Sequence, residues 1–155
     1  MEGRSYFLDT SALFKRYVAE KGSNAIGNLF EQRTSVLISE ITLCEVISNL
    51  RRLVDVDKII KEDEFEQLKA TFLGDVGDEI LELIELTPGI VLNSLEICSK
   101  QYTTPIDAIQ LASALSLLER PIFVCSDQKL LRLADEWGLP TFDPLDCQPR
   151  ENYNT

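Results

Sequence analysis

Four carboxylates, Asp9, Glu45, Asp107 and Asp127, carry the chemistry that this sequence allows. The 155-residue chain contains no histidine. It therefore cannot build a Ser-His-Asp or Cys-His triad, an imidazole general base or a His-ligated zinc site. Carboxylates, hydroxyls, Lys, Tyr or Cys are left to act. If the four acids converge, repulsion becomes the issue. Two carboxylates ~6 Å apart cost about 3 kcal/mol at an effective dielectric of about 20, and a whole domain is stable by only roughly 5–15 kcal/mol. Such a cluster must hold protons or bind a cation, and all-oxygen ligands favour Mg²⁺ or Mn²⁺. A site of that kind suits phosphoryl chemistry. It also reconciles an acidic chain with a polyanionic substrate, because the metal supplies positive charge locally.

The elements around these acids follow from periodicity. Short apolar runs at 5–8, 36–38, 80–86, 121–125 and 139–142 read as strands. Helical patterns occupy about 10–18, 24–30, the segment after Ser39, 61–73, 88–101, 105–118 and 128–137. The third helix is the clearest, with Leu43, Val46, Ile47, Leu50, Leu53 and Val54 on one stripe. Ser39 is read as its N-cap. Thr104 and Pro105 open one helix, and Gly138 closes the last. Alternating strands and helices predict an α/β fold, a parallel sheet covered on both faces. Asp9 and Asp127 then follow strands, and Asp107 lies in a first helical turn, at the sheet edge where ligand sites form. Glu45 falls off the apolar stripe, in line with Ile41, Ser48, Asn49 and Arg52. Each acid also has a structural alternative. Asp9 and Asp127 suit N-caps, Asp107 follows Thr104 as in a capping box, and Glu45 could be an exposed helical residue.

Length fits one domain, taken as 1–147 with a polar tail at 148–155. The net charge of −11 argues against a simple nucleic-acid-binding module. Its distribution is uneven. Residues 1–52 hold 7 basic and 6 acidic side chains, and residues 53–155 hold 8 and 20. The acidic stretch 62–85 reads as a solvated helical face or a dock for a basic partner segment. Lys15, Arg16, Arg51 and Arg52 are the cations that would touch a polyanion. Cys44, Cys98, Cys125 and Cys147 form no C-x-x-C, and the first three read as small buried hydrophobes in a reduced compartment. With no signal-peptide stretch and no span of roughly 20 apolar residues, the expectation is a cytoplasmic protein with no membrane association.

Four segments resemble the PIN-domain family. They are Tyr6-Phe7-Leu8-Asp9-Thr10-Ser11-Ala12-Leu13, Ser39-Glu40-Ile41-Thr42-Leu43-Cys44-Glu45-Val46, Asp107-Ala108-Ile109-Gln110-Leu111-Ala112 and Phe123-Val124-Cys125-Ser126-Asp127-Gln128-Lys129-Leu130-Leu131. The resemblance spans about 6–143 and is closest to VapC-like toxins of toxin–antitoxin pairs. It implies a three-layer α/β/α sandwich and a Mg²⁺- or Mn²⁺-dependent endoribonuclease using metal-activated water. It places Asp9, Glu45, Asp107 and Asp127 at the catalytic metal site, with Asp9 and Asp107 as direct ligands and Thr10, Ser11 and Ser126 as supporting hydroxyls. It also implies an RNA substrate, a cognate antitoxin and a homodimer. The chain departs from the family where many relatives carry His, here Gln110, and a Leu-Arg pair, here Thr103-Thr104.

Two other classes compete. One is a PIN-like domain that binds without turnover. The other is a phosphoacceptor or phosphatase of receiver or haloacid-dehalogenase type. The latter motif needs an acid two residues after the first, where Ser11 stands, and a receiver needs an early acidic pair that is absent.

Overall fold

The strands are short and apolar on both sides, as expected where helices cover both faces of a sheet. In chain order the computed structural model contains β1 (Ser5–Leu8), α1 (Thr10–Tyr17), α2 (Ser23–Glu31), β2 (Ser35–Ser39), α3 (Ile41–Asp55) and α4 (Glu62–Gly77). There follow β3 (Glu82–Ile84), α5 (Pro88–Lys100), α6 (Pro105–Leu115), β4 (Ile122–Val124), α7 (Gln128–Glu136) and β5 (Thr141–Phe142). The structure describes residues 3–32 and 34–146. The expected tail at 148–155 and Cys147 lie outside the described residues.

All four strand pairings are parallel, in the order β3-β2-β1-β4-β5. Side-chain alternation splits the core in two. Phe7, Leu37 and Phe123 face α5, α6 and α7, with Ile97, Leu111 and Leu131 in the same cluster. Tyr6, Leu8, Val36, Ile38 and Val124 face the opposite way, onto Leu13, Ile26, Val46, Leu50 and Phe72. The result is the three-layer α/β/α sandwich. Chain connections leave β1 in one direction toward β2 and return beyond it at β4, so the β1–β4 boundary is a topological switch point.

Several local expectations shift. Ser39 is the last residue of β2 rather than a helix cap. Glu40 takes the N-cap position with helical angles, φ −56° and ψ −32°, and its side chain caps nothing. The Ser39 hydroxyl still accepts from Ile41 N at 3.3 Å. α6 ends at Leu115, where Ser116 is the C-cap. Leu118 is 100% exposed and Arg120 has φ +44°, because the chain must leave the helix before Pro121. β3 is three residues long, not seven, and α4 runs on to Gly77. Cys125 is buried, but Cys98 is only partly covered and Cys44 is exposed. Cys44 sits off the Val46 and Leu50 stripe, beside Ser48 and Arg51. Among the described residues, no helix is long and apolar enough to cross a membrane.

Candidate active site

β1 ends at Leu8, and Asp9 immediately caps α1. The Asp9 amide donates to Val124 O at 3.1 Å, tying it to the end of β4. Its carboxylate accepts from Ala12 N at 2.8 Å and from Ser11 Oγ at 2.9 and 3.0 Å. Asp127 does the same for α7, accepting from Leu130 N at 3.0 Å. Asp107 lies in the first turn of α6, where Thr104 Oγ1 accepts from its amide at 3.4 Å. The capping readings of Asp9 and Asp127 are thus correct. Capping and convergence coexist, because the helices fed by β1 and β4 start at one sheet edge.

Asp9, Glu45, Asp107 and Asp127 line one recess of about 400 Å³, together with Thr10, Ser11, Asn49, Ile106, Gln110 and Ser126. Asp9 is 6% exposed. Its carboxyl is pushed up to about 7, first by burial and then by the charges of Asp107 and Glu45, against the lowering hydrogen bonds from Ala12 and Ser11. The Cys125 thiol is pushed up by burial and by Asp9, which leaves it a poor nucleophile.

Glu45 is held by a buried polar set. Thr10 Oγ1 donates to Glu45 Oε1 at 2.7 Å. Gln110 Nε2 lies 2.8 Å from Thr42 Oγ1, 3.2 Å from Thr10 Oγ1 and 3.2 Å from Glu45 Oε1. Thr10 and Gln110 thus both aim donors at the same Glu45 oxygen. Gln110 Oε1 is left buried without a protein partner, as is Ser126 Oγ. The sequence shows Gln110 only as a departure from the family and gives no sign of Thr42. A buried polar residue one turn after Asp107, on the same helix, is the signal that was available.

Of the four expected polyanion contacts, none lines this recess. Lys15 pairs with Glu20 at 3.1 Å, Arg16 with Asp75 at 3.0 Å, and Arg51 with Asp55 at 2.9 Å and Glu62 at 2.8 Å. Arg52 is exposed, with Asp57 at 3.7 Å. Sequence reasoning missed Lys129, which lines an adjoining recess with Asp107 and Asp127.

Among the described residues, no three Asp, Glu or Cys side chains stand as a closed ligand group for one ion. The donors nevertheless fit a hard cation. Mg²⁺ keeps several waters and is held through one or two carboxylates. The recess offers only oxygen and amide donors, a buried acid that burial drives toward protonation, and two orphaned oxygens that a water-bearing ion would satisfy.

Similar folds occur among solved structures. A toxin-antitoxin complex from Klebsiella pneumoniae superposes with a TM-score of 0.62 at 18% identity, covering 90% of this chain and 97% of that one. VapBC2 from Rickettsia felis, bound to a DNA fragment from its promoter, gives 0.62 at 17% identity, covering 90% and 98%. FitAcB from Neisseria gonorrhoeae gives 0.60 at 14%, covering 92% and 99%. No curated protein matches the chain in sequence. Residues 6–136 match the family model of the PIN domain, and the chain belongs to the PIN-domain family.

Proposed function

We propose that the protein is a Mg²⁺- or Mn²⁺-dependent endoribonuclease of VapC type, the toxin of a toxin–antitoxin pair. The observation that carries this reading is the convergence of four carboxylates from four separate segments on one recess of a PIN domain. Asp9 and Asp107 would hold the ion, with Glu45 and Asp127 around it. When bound, the ion would supply an activated water and a counter-charge to the phosphodiester. Ser11 and the Ala12 amide fix the Asp9 carboxylate at the start of α1. Thr10 and Gln110 hold the Glu45 carboxyl, and Thr42 anchors Gln110. Ser126 and Gln110 offer the unpartnered oxygens that orient water.

Cleavage of single-stranded RNA with Mn²⁺ tests the reading. Asp107→Asn is expected to abolish it with the fold retained, and an unchanged rate rejects the assignment. An antitoxin and a homodimer belong to the same proposal, as does action in the cytoplasm. Toxin–antitoxin complexes among the similar folds support the first. The exposed Val91, Leu92 and Leu95 on α5 give apolar area for self-association. The net charge of −11 and the acidic stretch 62–85 favour a second reading, a PIN domain that binds without turnover. Tight Mn²⁺ uptake with no cleavage of any RNA would select it.

A further inference from the structure

The acidic recess contains no Lys or Arg, yet a phosphodiester must be brought against four carboxylates. A second recess of about 120 Å³ shares Asp107 and Asp127 with it and adds Tyr102, Thr103, Thr104 and Lys129. We propose that this second recess is a nucleotide subsite for single-stranded RNA, with a base stacked on Tyr102 and a phosphate held by Lys129. The proposal rests on the nuclease reading and names where the strand enters.

Three observations carry it. Tyr102 is 80% exposed, between α5 and α6, so its ring fills no core. A large aromatic left in water beside a charged cleft offers a flat face to a base, whatever its identity. Lys129 is positioned rather than loose. Its Nζ lies 4.8 Å from the Tyr102 ring centroid and donates to the Tyr102 carbonyl oxygen. Finally, Lys129 forms no ion pair among the described residues, unlike Lys15, Arg16 and Arg51. Its charge stays available beside Asp107 and Asp127. Ring and ammonium together match a nucleoside phosphate. A base can reach the ring only when unpaired, so the subsite selects single strands.

The test is stopped-flow anisotropy of a fluorescein-labelled uridine octamer in Mn²⁺, read before turnover, alongside steady-state cleavage. Tyr102→Ala is expected to raise Kd and KM about tenfold with kcat little changed. Tyr102→Phe and Tyr102→Trp, which keep a ring, should remain within about twofold of wild type. Lys129→Gln should weaken binding and flatten the salt dependence of log Kd by about 0.7. A duplex of equal length should be insensitive to Tyr102→Ala. If wild type cleaves and the variants match it in Kd and KM, the subsite is overturned and the nuclease reading stands. If wild type binds without cleaving and Tyr102→Ala weakens binding, the subsite stands and the nuclease reading falls. If wild type neither binds nor cleaves, both fall. Loss on Tyr102→Phe equal to that on Tyr102→Ala overturns stacking in favour of a hydroxyl contact. Normal octamer binding with loss of a protein partner assigns the recess to that partner instead. The ring-retaining Tyr102→Trp keeps the test readable should the Ala variant fold poorly.

Discussion

The two ends of α1 each meet a buried carboxylate, and the two are treated in opposite ways. At its C-terminal end, Asp75 from α4 is 8% exposed. It accepts from Arg16 Nε at 3.0 Å and from Tyr17 OH at 2.7 Å. The Arg16 guanidinium also lies 3.8 Å above the Phe30 ring, and the Tyr17 phenol is pushed up by burial and by Asp75. This charge is matched, and the contacts join α1 to α4. At the N-terminal end, Asp9 is equally buried but receives only one amide and one hydroxyl. Its acidic neighbours, Asp107 and Glu45, repel it. Burial alone therefore does not single out a candidate working carboxylate; burial without a counter-charge singles out Asp9 as one.

The largest expected contrast is in activity. Asp9→Asn should lower Mn²⁺-dependent RNA cleavage at least ~1000-fold, about 4 kcal/mol in the barrier, while Asp75→Asn should leave kcat per folded molecule within about threefold. Comparable losses in both would erase the distinction.

Titration sharpens it. The folded Asp9 carboxyl stands at about 7 against 3.8 ordinarily. The folded state therefore keeps a proton that the unfolded chain releases, so its contribution is present below pH 4 and lost as pH rises through about 7. Metal-free protein should lose about 2–4 kcal/mol more stability than Asp9→Asn between pH 4 and 8. Urea unfolding in EDTA measures this. Saturating Mn²⁺ should restore wild type at pH 8 and leave Asp9→Asn unmoved. A parallel pH course for the two proteins would contradict the raised carboxyl.

Removing the matched acid should act on folding instead. Asp75→Ala strands Arg16 and Tyr17 and should cost about 2–3 kcal/mol at any pH from 6 to 9, roughly following partly buried ion pairs. A smaller effect, about 1.4 kcal/mol, is expected at Gln110. Gln110→Leu should weaken Mn²⁺ binding about tenfold and lower folding stability by about 1 kcal/mol, because Thr42 and Glu45 lose their amide donor. Calorimetry showing equal affinity would remove Gln110 from the positioning of Glu45.

Much of this was legible along the chain, for identifiable reasons. Asp9, Thr104, Asp127 and Gly138 are local signals at helix ends, so seven helices and the edge that gathers the acids could be read from neighbours in sequence. The helical phase of α3 set Glu45 apart from Val46 and Leu50. What escaped depends on contacts across the fold. Lys15 and Arg16 looked available because Glu20 and Asp75 could not be assigned to them. Gln110 reaches residues 65 to 100 positions away. Tyr102 and Lys129 meet only because α6 and α7 start at the same edge. The Ser39 reading failed because a good capping residue was more useful finishing a strand.

The pairing of β1 with β4 has one more outcome. Leu8 opposes Val124 in register, Phe7 stacks on Phe123 with centroids 5.8 Å apart, and the Asp9 amide adds a last rung to the ladder. The spacing of β1 and β4, the two strands that lead into the Asp9 and Asp127 segments, is thus a backbone dimension, a strand separation of about 4.8 Å. A substitution at the rim of the recess therefore leaves the gauge of the two strands beneath it unchanged.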